Sequence, residues 1–127
     1  MTIDHAGAQS IIERFGAAWA AFDGDSWVEL FSADVEFRED PFEPPVVGHN
    51  AVRAYLLRAA ELQEQVDFTA ERHWVVDPTI LVAWHASYVA RQDRATVRLA
   101  GFMTLEMRDG RIARLRQWVR RRDGTAG

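Results

Sequence analysis

Near Val66 the spacing of the apolar residues changes from three and four to two, and this change decides the class of fold. Before it, Ile11, Ile12, Phe15, Trp19 and Phe22 form one stripe on a helix predicted from Ala8 to Phe22. Asp23-Gly24-Asp25 stops that helix, and Asp25 or Ser26 caps a short second one holding Trp27, Val28, Leu30 and Phe31. Val35-Glu36-Phe37-Arg38-Glu39 alternates and reads as a strand. Asp40-Pro41 breaks it, and Pro41, Pro44 and Pro45 make 40–48 a loop. Asn50 caps a third predicted helix, from Ala51 to about Glu64. After the change come strands from Val66 to Asp77, Thr79 to Arg91, Ala95 to Met107 and Arg111 to Arg121. Asp77-Pro78, Gln92-Asp93-Arg94 and Arg108-Asp109-Gly110 turn the chain between them. Helices first and an antiparallel meander after make an α+β fold.

A chain of 127 residues fits one domain, taken as 1–122 with 123–127 as a flexible tail. Without cysteine, a disulfide framework, a thiol nucleophile and a cysteine zinc cluster are excluded. All 15 basic residues are arginine, so Schiff-base chemistry and the P-loop lysine are excluded as well. The acidic balance, net charge -4, offers no general attraction to nucleic acid or an anionic membrane. No apolar run is long enough to span a bilayer, and Met1-Thr2-Ile3-Asp4-His5 lacks the pattern of a signal peptide. The cytosol is the expected compartment. Arginine in place of lysine, with abundant alanine, suggests a GC-rich bacterial genome.

The order of these elements resembles the nuclear transport factor 2-like superfamily, in particular SnoaL-like polyketide cyclases and ketosteroid isomerases. The residues that carry the resemblance are Phe22-Asp23-Gly24-Asp25 with Leu30-Phe31, Asp34-Val35-Glu36-Phe37, Asp40-Pro41, Gly48-His49-Asn50-Ala51-Val52 and Asp109-Gly110-Arg111-Ile112. It implies a curved antiparallel sheet wrapped as a cone around the N-terminal helices, the cystatin-like arrangement, with an apolar cavity inside. It also implies a homodimer joined through the outer face of the sheet. Phe15, Trp19, Phe37, Tyr55, Trp84, Tyr88 and Met103 are the candidates for lining that cavity. Equally, such aromatics could simply fill a core. The fold hosts many activities, so it does not assign one.

Asp40 is the leading candidate for chemistry. In ketosteroid isomerases a carboxylate directly before a proline shuttles a proton beside a carbonyl, and Asp40-Pro41 matches that motif. An apolar wall, here from Phe37 and Phe42, would keep such a carboxylate's pKa usable. An ungapped register from Leu30-Phe31 instead brings Glu39 to the family position. A loop aspartate accepting backbone hydrogen bonds is the competing reading of Asp40. Phe15 and Met103 stand where the isomerases carry a tyrosine and a protonated aspartic acid, donors of the kind worth roughly 2.7–4 kcal/mol to an oxyanion. Steroid isomerisation by that mechanism is therefore not expected. Epoxide hydrolase relatives use an Arg-x-Asp pattern, which Arg98-Leu99-Ala100 lacks.

On the last strand Ala113, Leu115, Gln117 and Val119 should face the cavity, which makes Gln117 a polar group able to orient a carbonyl or a water. His85 depends on the hairpin at Gln92-Asp93-Arg94. A two-residue turn pairs Trp84 with Gly101 and turns His85 outward; a three-residue turn reverses the face. Turned inward, His85 would be a general acid or base near neutral pH. His49 and His73 read as structural or solvated. The histidines show no metal-binding spacing, and no cofactor is expected. Arg114, Arg116 and Arg120 with Trp118 form a basic, aromatic face, best explained by pairing with Glu106 and other acids. The expected function is acid–base chemistry on a hydrophobic carbonyl compound, with a non-catalytic ligand-binding or interaction module as the alternative.

Overall fold

Asp4 begins the first helix ahead of the apolar stripe, because its carboxylate accepts the Gly7 backbone N–H at 2.7 Å. In the computed structural model, which describes residues 2–124, α1 spans His5–Ala21 and ends where Phe22 turns left-handed (φ 50°). Ala8, Ile12, Phe15 and Ala18 are its buried face. α2 covers Gly24–Glu29 and is capped by Asp23, not by Asp25 or Ser26. Ser26 is the partner of the cap: its N–H and hydroxyl both donate to the Asp23 carboxylate.

β1 (Phe31–Arg38) starts earlier than the alternation suggests, since an irregularity between Phe31 and Glu36 interrupts the period of two. The proline loop contains a two-residue strand, β2 (Val46–Val47), which the sequence reading leaves as loop. α3 runs over His49–Leu62, with Gly48 rather than Asn50 at its N-cap. Gly48 takes φ 88°, where a side chain would be strained, while its N–H donates to Val35 O.

The meander is β3 (Gln63–Val76), β4 (Thr79–Ala90), β5 (Thr96–Arg108) and β6 (Arg111–Asp123). With β1 and β2 it makes one six-stranded sheet in the order β2-β1-β6-β5-β4-β3. The meander pairs are antiparallel; β1 joins it parallel to β6, pairing Phe37 with Leu115. Bulges in β3 and between Glu106 and Met107 bend the sheet, which stays open and curls around the helices. The second bulge also turns Ile112, not Ala113, fully into the core. β6 continues through Asp123, and Gly124 N–H donates to Thr96 O, so the tail expected from Asp123 does not begin there. Residues 125–127 of that tail lie outside the described residues.

The hairpins fix which side chains face inward. Asp109 and Gly110 both take positive φ (54° and 78°), the two-residue turn that suits the right-handed twist of the strands. Between β4 and β5, Ala90 N–H donates to Ala95 O across a loop of even length, so Trp84 pairs with Gly101. Ile80, Val82, Trp84, Ala86 and Tyr88 therefore point inward and are buried, and His85 points outward. α1 closes the concave face by close approach: a Cβ at Gly16 would lie 2.6 Å from the Phe68 ring. Among the described residues, no helix is long and apolar enough to cross a membrane.

Candidate functional site

The concave face and the helices leave a cavity of about 240 Å³. Aromatic side chains make up about half of its lining. Phe15 and Trp19 come from α1, Trp27 from α2, Phe37 from β1, Tyr55 from α3, and Trp84 and Tyr88 from β4. Phe15 packs 5.0 Å from Trp27, Phe37 4.9 Å from Tyr55, and Trp19 meets Trp84 edge to face at 6.1 Å. Six of the seven expected lining residues thus converge; Met103 is fully buried in the layer beneath and does not line the cavity.

Few polar groups interrupt this wall. Glu39, just past the end of β1, lines the cavity, and Gln117 faces it from the neighbouring β6. Gln117 is 8% exposed and, among the described residues, its amide has no hydrogen-bond partner. The Tyr55 phenol stands beside the Glu39 carboxylate. Burial first, then the negative charge of Glu39, holds that phenol far above the usual tyrosine range, so it remains a donor at any physiological pH. Gln63 lines the cavity as well, with its Oε1 already accepting the Trp19 indole N–H at 3.0 Å. The Trp84 indole edge lies over Gly101, where a Cβ would approach it to 2.4 Å, and its N–H is buried without a partner among the described residues.

Two candidates lie elsewhere. Asp40 is exposed on the loop and its carboxylate accepts the Phe42 backbone N–H at 2.9 Å, the turn-forming alternative to a role as base. Phe42, the expected second wall, is 93% exposed. The residue that continues the inward alternation of Val35 and Phe37 is Glu39, so strand period favours it over the Asp-Pro pattern. His85 lies on the convex face, with Nδ1 2.8 Å from the Glu71 carboxylate. His49 Nε2 bonds to Phe31 O, His73 stacks on His5, and no metal-binding cluster occurs among the described residues.

A family model of the SnoaL-like domain matches residues 12–115, most of the chain. The chain belongs to that family. The SnoaL-like fold recurs in a Bacillus subtilis protein assigned as an isomerase (TM-score 0.80, 22% identity, 91% of this chain and 87% of that one). It recurs in a Shewanella denitrificans protein assigned as a SnoaL-like polyketide cyclase (0.78, 15%, 89% and 90%). A Catenulispora acidiphila protein with a ketosteroid isomerase-like fold, solved with trimethylamine, is similar too (0.78, 15%, 85% and 83%). A search of curated proteins finds no match.

The SnoaL-like cavity also holds residues beyond the sequence candidates: Trp27, Leu56, Ala59, Gln63, Leu99 and Arg121. Arg121 was within reach of the sequence. The alternation Leu115, Gln117, Val119, carried one step further, arrives at it. Leu99 and Gln63 needed the register of β5 and the junction of α3 with β3, which no local pattern supplies.

Proposed function

We propose that this SnoaL-like domain holds a small, largely apolar carbonyl compound in the cavity and exchanges a proton with it through Glu39. One juxtaposition carries the reading: the Tyr55 phenol and the buried Gln117 amide share a largely apolar cavity with the Glu39 carboxylate, which stands exposed at its edge. Proton transfer beside a carbonyl needs a base within reach of the C–H and a donor for the oxygen that gains charge. Glu39 is the base in this reading and the Gln117 amide N–H₂ the donor, while Tyr55 orients the carboxylate. Asp40 and His85 take no part. The volume limits the ligand: about 240 Å³ lies below the ~300–1,000 Å³ of drug-sized sites. A single ring suits it better than a fused steroid skeleton.

The test uses 2-cyclohexenone in D₂O. Wild type should catalyse deuterium exchange at the carbons that are acidified by the carbonyl, followed by proton NMR. Glu39→Gln should lower that rate by roughly 10²–10⁴-fold, the usual contribution of general-base catalysis. Binding of the enone without exchange would instead favour a non-catalytic binding module. Phe15 and Met103 support that second reading, since both are apolar where isomerases of this fold carry oxyanion donors.

The same reading takes the protein to be a cytosolic homodimer joined through the convex face of the sheet. Trp74, Phe102 and Trp118 leave 39%, 36% and 43% of their surface exposed there, and Arg72 lies 5.0 Å over the Trp74 ring. Clustered exposed aromatics of this size are characteristic of interfaces.

A further inference from the structure

Among the described residues, the charged groups that line the cavity are Glu39 and Arg121, and they stand at different levels of it. Glu39 lies level with Gln117, because Phe37 pairs with Leu115 in parallel register. Arg121 lies four residues further along β6 on the same face, roughly 13 Å at about 3.3 Å per residue. Between these levels the wall is apolar, formed by Val119 and by Trp84, which pairs with Gly101 opposite Val119, while Leu99 stands opposite Arg121 itself. A molecule lying along β6 would thus meet an acid at one end and a guanidinium at the other.

The Arg121 guanidinium is only partly committed. Its Nε donates to the Asp123 carboxylate at 2.6 Å, and among the described residues its terminal nitrogens have no partner. That leaves the planar pair of N–H groups that suits a carboxylate. The molecule already shows that one guanidinium here can serve two carboxylates: Arg114 pairs with Glu36 at 3.2 Å and with Glu106 at 3.4 Å. An anionic ligand group at Glu39 would be repelled, so the two charges also set direction.

We propose that the carbonyl compound held in this cavity also carries a carboxylate, bound by the terminal nitrogens of Arg121, with its apolar, carbonyl-bearing body directed toward Glu39. This rests on the reading that the cavity binds a small molecule, and names the class of that molecule.

The test compares 4-phenylbutanoate with its neutral isostere 4-phenylbutanamide on the full chain near neutral pH. Tryptophan fluorescence reports occupancy, since Trp19, Trp27 and Trp84 line the cavity, and calorimetry gives the affinities. The acid should bind wild type at least about tenfold more tightly than the amide, since charge-assisted hydrogen bonds are the stronger kind. Arg121→Gln should abolish the preference for the acid over the amide, and Arg121→Lys should restore part of it. Arg121 is exposed, so neither variant disturbs the core. Equal binding of acid and amide, or an acid affinity that survives Arg121→Gln, overturns the carboxylate site and leaves the cavity reading standing. Failure of both compounds to bind overturns the two together.

Discussion

Tyr55 sits between the aromatic wall and Glu39, where burial penalises its phenolate and the carboxylate's charge adds to the penalty. The unfolded chain returns this phenol to an ordinary value of about 10. Its contribution to stability is therefore complete below that pH and is lost as the pH rises past it. Wild type should lose stability toward urea between about pH 9 and pH 11 more steeply than Tyr55→Phe. While the protein stays folded, the phenolate absorbance gained on alkaline titration should be the same in both. Equal alkaline losses would place the phenol in water. At this scale the sequence was legible where strand period applied. Gln117 and the inward aromatics follow from alternation, whereas Asp40-Pro41 matched a motif while the period pointed to Glu39. A turn motif and a strand face compete for adjacent residues, and only the geometry after Arg38 separates them.

Elements were legible where a long run of period two dominated, as in the four meander strands, whose ends moved by only a few residues although bulges interrupt the register of β3 and of the β5–β6 pair. Caps and short pieces were less so. β2 has two residues and no period, and α2 takes its cap from Asp23 because Phe22 ends α1 left-handed at that point. The Asp23 carboxyl is held below its ordinary range, first by the Ser26 hydroxyl and then by the Ser26 N–H. A depressed carboxyl stabilises the fold above its unfolded pKa and loses that effect as pH falls through its folded value. Asp23→Ala should accordingly lower the Tm at pH 6, and the difference from wild type should shrink in acid, below about pH 4. A difference that does not vary with pH, read by thermal melts monitored by circular dichroism, would mean that the cap acts without its charge.

For the molecule as a whole, the two faces of one sheet divide the work. The concave face turns its aromatics toward the cavity, and the convex face carries Trp118 among Arg114, Arg116 and Arg120, with Arg114 tied to Glu36 and Glu106 as expected of that face. If the convex face joins two copies, wild type should run as a dimer in size-exclusion chromatography with light scattering, and Trp118→Glu as a monomer. A monomeric wild type would refute that assembly. The overall class was readable from the change of period at Val66, because helices and a meander leave few other ways to bury both apolar sets. The parallel pairing of β1 with β6 was not, since nothing local links strands so far apart in the chain. That pairing also has a consequence for the order of events during synthesis. Glu39 leaves the ribosome long before Gln117, and β1 has only β2 to pair with until β6 has been made. The cavity therefore cannot exist before β6 has been made, and until then no ligand can help to hold a nascent chain together.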